Sequence, residues 1–292
     1  FLPKQHLLTY LDAILRVYNR YGNRNNKYKA RIKILVKAWT PQVFAERVEA
    51  EWTQIQARDV DGVAQLTDSE IERVKTFFPL PDYQAVDETA LDATLQAQAA
   101  DSVAFSRWLE RNVRNQKQAG HASVTLSLKP AGVAPGDVTD GQLESIANLA
   151  DQFSNGELRT THNQNIVIAD VIKSDLFEFW QMAKADGLAT PTIGTINDMI
   201  CCPGGDYCSL ANAKSIPVAE AIQRKFEDLD YVYDLGDLEL NISGCMNACG
   251  HHHIGHIGIL GVDKKGQEWY QIQLGGSANK NAALAKVLGP SL

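Results

Sequence analysis

The sequence predicts an α+β protein, and three observations carry that expectation. Helical patterns fill the N-terminal part, and from about residue 86 strand and helix patterns alternate at short spacing. All the cysteines then fall between 201 and 249, where strands mix with glycine-rich loops. At 45% hydrophobic and 22% charged residues, the composition is that of a globular chain and excludes a disordered tail or a coiled coil. No apolar run approaches the roughly 20 residues of a membrane span, so a membrane-embedded protein is not expected. A length of 292 residues allows one or two domains with their own cores. The chain opens on Phe1-Leu2-Pro3, without a Met, a signal pattern or a tag, and is expected to be a piece of something longer.

Leu7, Leu8, Leu11, Ile14, Leu15 and Tyr18 recur at helical spacing, so 5–20 reads as a helix ended by Gly22-Asn23-Arg24. Arg31-Ile32-Lys33-Ile34 alternates, which predicts a strand with both cations on one face. Residues 40–57 and 67–78 read as charged helices. Phe78-Pro79-Leu80-Pro81 breaks the pattern, and 82–101 reads as a polar connector.

Residues 122–128 alternate as a strand, 130–136 form a turn, and 140–153 read as a helix with one apolar face. Strands are expected at 158–161 and 166–169, around the polar knot His162-Asn163-Gln164-Asn165. A helix over 175–186 closes on Gly187. Strand, helix, strand pair, helix is a ferredoxin-like layer. Beyond it, 218–226 reads as a helix, and 239–242, 254–262 and 270–274 as strands.

The formal charge of −7 hides an asymmetry. Residues 1–37 carry Lys4, Arg16, Arg20, Arg24, Lys27, Lys29, Arg31, Lys33 and Lys37 against Asp12 alone, a local +8 that leaves −15 for the rest. Such a segment is a solvated face, a nucleic-acid footprint or a pocket for a polyanionic small molecule. Lys4 and Lys37 read as ordinary surface.

Cys201, Cys202, Cys208, Cys245 and Cys249 are odd in number, and the chain shows no secretory signal, so a disulfide framework is disfavoured. Clustered thiols in a reducing, cytoplasmic setting more often bind metal. The pairs are Cys202-x5-Cys208 and Cys245-x3-Cys249. The first gap, Pro203-Gly204-Gly205-Asp206-Tyr207, is too wide for a zinc knuckle and suits a bulkier object such as an iron–sulfur cubane. Gly244 and Gly250 leave room for close backbone approach. Cys201 is then the spare, a small buried hydrophobe. His252 and His256 have the i, i+4 spacing of two ligands on a helix, although the sequence Ile-Gly-His-Ile-Gly-Ile around them favours a strand.

At these residues the chain resembles a family. Cys202-Pro-Gly-Gly-Asp-Tyr-Cys208-Ser-Leu-Ala and Asn241-Ile-Ser-Gly-Cys245-Met-Asn-Ala-Cys249-Gly are similar to the paired cysteine motifs of sirohaem-dependent sulfite and nitrite reductases. Asn155 to Asn165 resembles that family's half-domain signature, Leu274-Gly275-Gly276 its later glycine turn, and residues 13–37 the end of its first repeat. Met246 departs from the pattern, standing where relatives often have proline.

The resemblance implies an α+β fold in which a ferredoxin-like half-domain precedes an α/β sirohaem and iron–sulfur domain. Residues 1–37 would be the tail of a preceding sirohaem-binding repeat, 38–85 a helical connector, 86–185 the half-domain and 186–292 the cofactor domain. Cys202, Cys208, Cys245 and Cys249 would ligate a 4Fe-4S cluster, and Cys249 would also bridge to the sirohaem iron. Asn247, Arg159 and Gln164 would bind sirohaem, with a structural ion pair as the alternative for Arg159; His162 reads as structural. Arg31 and Lys33 would grip the substrate, Arg31 departing from the usual lysine.

The implied reaction is the six-electron reduction of sulfite to sulfide in assimilatory sulfur metabolism, with nitrite to ammonia as the alternative. Electrons would come from a flavoprotein or a ferredoxin, and the N-terminal half of the same protein would be missing. Because the macrocycle and the substrate are anions, the basic segment gains a reason: buried anions need preplaced cations. The competing class is a metal-stabilised module whose basic arm, interleaved with Tyr18, Tyr21 and Tyr28, binds nucleic acid with strong salt dependence. Neither nucleic acid nor membrane is expected as a partner of the reductase.

Overall fold

The structure is a computed structural model that describes residues 2–26, 28–62, 64–79, 81–83 and 86–292. Lys27 of the basic segment, Leu80 of the Pro-Leu-Pro break and the residue at the 85/86 boundary lie outside the described residues. The chain separates into two compact units, residues 1–82 and 83–292.

The first unit is helical among its described residues: a short 3-10 turn at Lys4–His6, then α1 (Leu7–Tyr21), α2 (Ile32–Trp39), α3 (Pro41–Arg58) and α4 (Asp68–Lys75). Ala13 and Val17 of α1 pack on Val48 and Ile55 of α3, with Trp39, Phe44 and Trp52 around them. Glu51 is buried there and answered by Arg16 and Arg20, with N–O distances of 3.7 and 3.3 Å. Part of the basic segment therefore serves a structural ion pair.

The expected strand at Arg31 and Lys33 is corrected: Arg31 is the extended N-cap residue of α2, and Lys33 stands in its first turn. Four alternating residues do not distinguish a strand from a helix start. Leu35 is buried and Trp39 packs on the core of this unit, but residues four apart share a face in a strand as in a helix, so that spacing does not tell the two apart either. Arg31, with φ −132° and ψ 144°, stands just before the helix and Lys33 inside it, so the two cations are not neighbours on the face of one strand.

The second unit opens with α5 (Glu88–Asp101) and α6 (Val103–Asn112), where a polar connector was expected as far as residue 101. Asp87 and Ser102 cap these helices, accepting from Ala90 N at 3.2 Å and Phe105 N at 3.3 Å. Four antiparallel strands follow in the spatial order β1-β2-β4-β3: β1 (Val113–Asn115), β2 (His121–Leu126), β3 (Leu158–Thr160) and β4 (Ile166–Ile172). Helices α7 (Asp140–Phe153) and α8 (Leu176–Ala185) alternate with them, α7 closed by a Thr139/Gln142 capping box. Strands β2, β4 and β3 with these helices make the expected split βαβ layer, and β1 takes the edge beside β2. Its core holds Phe105, Trp108, Leu126, Ile146, Ile168 and Phe179, all fully buried.

The remaining strands form a mixed sheet: β5 (Ile200–Cys201), β6 (Leu240–Ser243), β7 (Ile257–Lys264), β8 (Gln267–Leu274) and β9 (Lys286–Val287), in sequence order across it. β5, β6 and β7 run parallel, and the later pairs are antiparallel. Between β5 and β6 lie α9 (Gly204–Tyr207), α10 (Ile216–Lys225) and α11 (Leu229–Leu235). Every residue of β6 is buried, as a central strand should be.

The strand expected from 254 begins instead at Ile257, because 251–255 is a turn. His251 has φ 55°, and its carbonyl accepts from Ile254 N at 3.0 Å and Asn241 Nδ2 at 3.1 Å. That turn also removes the two-histidine helical face.

Candidate functional site

β5 and β6 are adjacent and parallel, with Cys201 opposite Ile242, so they end at the same edge of the sheet. Loops that leave such ends are where α/β sheets gather their ligands. Here the first carries Cys202 and Cys208, and the second carries Cys245 and Cys249.

The two loops interlock through backbone. Asn212 N and Ala213 N both donate to Gly244 O, at 2.8 and 3.1 Å, and Cys202 N donates to Ile242 O at 3.1 Å. A Cβ on Gly244 would lie 2.7 Å from Ala213 O and 2.8 Å from Gly204 Cα; one on Gly250 would lie 1.9 Å from Ile242 O. Only glycine permits that approach. The Cys202 sulfur accepts from Gly244 N at 3.0 Å and lies 3.6 Å from the buried Ser215 Oγ.

Cys245 is buried, Cys202 and Cys208 are half-buried, and Cys249 is exposed. All five thiols are free. Cys249 follows Ala248 at φ 59° and lines a cavity of about 150 Å³ with His162, Asn163, Asn241 and His251. Asn247 sits half-buried in the turn between Cys245 and Cys249. Cys201 is 3% exposed in the sheet's own core beside Ile196 and Met199. Burial above all, then Cys202 and Asp206, pushes its thiol up to about 12, so it stays protonated.

Among the described residues, no three His, Cys, Asp or Glu side chains gather closely enough to hold a single metal ion. His256 Nδ1 accepts from Glu239 N at 3.1 Å. His252 is buried with Nδ1 unpartnered, and burial with His253 nearby lowers its imidazole to about 4. The donor set suits a thiolate-held cluster: soft sulfur from two loops, with a backbone N–H aimed at one of the sulfurs.

The polar knot of the half-domain adjoins these loops. Gln164, at φ 59°, donates from Nε2 to Cys201 O and accepts at Oε1 from Cys201 N, both at 2.8 Å. Its carboxamide is thus engaged with backbone, a different task from the sirohaem contact expected of it. Arg159 is exposed and pairs with Glu157 at 2.8 Å, the structural alternative weighed for it. His162 lies on the cavity rim.

Sequence reasoning missed Lys129 and Asp198. Lys129 Nζ, fully buried, donates to Asp198 Oδ1 at 2.5 Å and to Asn163 O, while Asn165 Nδ2 reaches the same carboxylate at 2.9 Å. The only sequence signal was a lysine directly after the apolar strand 122–128.

Comparison with known proteins adds to this geometry. Residues 114–186 match the family model described as the nitrite/sulfite reductase ferredoxin-like half domain, and residues 1–56 match the nitrite and sulphite reductase 4Fe-4S domain. The cysteines lie outside both matched segments. Sulfite reductase (ferredoxin) 1 of Mycolicibacterium paratuberculosis is 23% identical over 99% of this chain and 45% of its own length. Ferredoxin--nitrite reductase of Synechococcus elongatus is 27% identical over 98% of this chain and 48% of its own length. The sulfite reductase (NADPH) hemoprotein beta-component 1 of Pectobacterium carotovorum is 25% identical over 95% and 42%. The chain thus spans less than half the length of these relatives. The solved structure of the Mycobacterium tuberculosis NirA protein superposes over 99% of this chain and 46% of its own, with a TM-score of 0.65 at 22% identity, which shows a shared fold. Two nitrite/sulfite reductase family models match along one chain, and alignments to sulfite and nitrite reductases run nearly its whole length, so the chain is similar to that group of reductases from end to end.

Proposed function

We propose that this chain is the cluster-bearing part of a reductase that takes sulfite to sulfide in a six-electron reaction. The observation that carries the reading is the meeting of two thiol loops at the ends of adjacent parallel strands, with Gly244 N donating to the Cys202 sulfur at 3.0 Å. Cys202, Cys208, Cys245 and Cys249 would hold a 4Fe-4S cluster, and Cys249, exposed on its cavity, would be shared with the iron of sirohaem. When bound, these groups would supply the stored electrons that no side chain provides.

The chain's own part is to hold, orient and tune. An N–H directed at a ligating sulfur draws charge from it and favours the reduced cluster. Cys201, protonated and turned into the core, keeps out of the ligand set. Asn247 and Arg159 are retained as sirohaem contacts. Arg31 and Lys33, at the N-cap and in the first turn of α2, are retained as the pair that would grip the substrate.

The remaining half of the polypeptide, a ferredoxin or flavoprotein donor, and a cytoplasmic setting complete the proposal. Relatives named for ferredoxin and for NADPH support either kind of donor. No helix among the described residues is long and apolar enough to cross a membrane.

The test is made on the full-length polypeptide. Iron, acid-labile sulfide and a visible isobacteriochlorin spectrum are expected, with kcat/KM higher for sulfite than for nitrite. Reversed rates would hand the function to nitrite reduction, which relatives of that name also support. A colourless protein that binds polynucleotides with steep salt dependence would replace both.

A further inference from the structure

The half-domain contributes none of the thiols, yet its polar loop holds the strand from which the first thiol loop departs. β5 is two residues long, lies at the edge of its sheet and, among the described residues, pairs with β6 alone. Cys202 N bonds inward to Ile242 O at 3.1 Å. The N–H and C=O of Cys201 therefore face outward, where an edge strand has no neighbour.

Gln164 fills that place. Its carboxamide meets Cys201 N and Cys201 O at 2.8 Å each, the pair of bonds a neighbouring strand would make. A left-handed backbone at φ 59° brings it there, a conformation that non-glycine residues adopt only at a steric cost. Gly136 backs it: a Cβ at that position would lie 3.0 Å from Gln164 Cβ. A second grip lies just upstream, where fully buried Lys129 and Asn165 hold the Asp198 carboxylate. The segment from Asp198 to Cys202 is thus fixed from the half-domain at two points.

We propose that Gln164 is a positioning residue: it stands in for the absent neighbour of β5 and thereby sets where the Cys202 sulfur meets the Gly244 amide. The proposal rests on reading Cys202 as a cluster ligand, so its test separates the two. In the full-length holoenzyme, Gln164→Ala removes both bonds, while Gln164→Glu keeps the acceptor and loses the donor.

Amide hydrogen exchange at Cys201 and Cys202 is expected to quicken roughly tenfold or more in Gln164→Ala and by less in Gln164→Glu, as the loss of two ordinary hydrogen bonds implies. The cluster's reduction potential is expected to shift and kcat to fall, while KM for sulfite stays within about twofold of wild type. A purely structural side chain would leave the potential unmoved. Gln164→Ala that folds with wild-type exchange and potential would overturn the proposal. If that variant does not accumulate, the glutamate variant decides in the same way. Wild-type protein free of iron and sulfide would remove the ligand reading, while the exchange comparison would still decide the clamp.

Discussion

The five cysteines occupy two kinds of place. Cys202, Cys208, Cys245 and Cys249 sit on the two interlocked loops, while Cys201 points into the sheet core. Serine at any of the first four is expected to lower the iron content of the full-length protein, measured by elemental analysis. Cys201→Ala is expected to leave iron unchanged and to lower stability by about 1 kcal/mol, a small truncation in a packed core. Full iron in the Cys245→Ser variant would contradict the assignment.

Lys129 makes a second residue-scale case. Burial pushes its ammonium pKa down, and the Asp198 carboxylate opposes that effect. Lys129→Met leaves the Asp198 carboxylate buried with hydrogen bonds from Asn165 and Gly194 but without its counter-charge, so a loss of about 3–5 kcal/mol is expected from urea unfolding. A loss under about 1 kcal/mol would mean that the pair is solvated. The cysteine spacing was legible in the sequence because the ligand types are rare and close together. Gln164 and Lys129 were not, since their partners lie 37 and 69 positions away.

Where apolar periodicity was strong, elements were legible: 140–153 was expected as a helix, and α7 spans those residues. Where it was weak, they were not. Helix α5 fully buries no residue, and its alternating alanines and polar residues carry no stripe to read. It is held by caps and by Lys173, buried between Glu88 at 2.9 Å and Asp92 at 2.8 Å. The Lys173 ammonium, first by its hydrogen bond, holds the Glu88 carboxyl below its usual 4.5. A lowered folded pKa contributes stability above about 4.5 that is lost as pH falls through the folded value. Glu88→Gln is therefore expected to flatten the acid limb of the stability curve, read as melting temperature against pH. An unchanged limb would show that the pair is screened. At Arg31 and Lys33 the alternation was real but too short to tell a strand from a helix start, and α2 begins there.

At the scale of the molecule, the sequence disclosed the α+β class and the ferredoxin-like layer through the recurrence of strands and helices. It did not disclose the edge strands β5 and β9, which are two residues each and exist only because a neighbour is there. Division into residues 1–82 and 83–292 separates the basic segment from the cysteines along the chain. That is why charge counting alone could not locate a site.

The order of strands has a consequence for biosynthesis. Cys202 and Cys208 leave the ribosome well before Cys245 and Cys249, with α10, α11 and β6 made in between. Until β6 is laid beside β5, the early thiols have only each other for company. On the proposed ligand set, metal delivery would await translation past Gly250, and a nascent chain stalled earlier would offer scavenging copper or zinc the unguarded sulfurs of Cys201, Cys202 and Cys208.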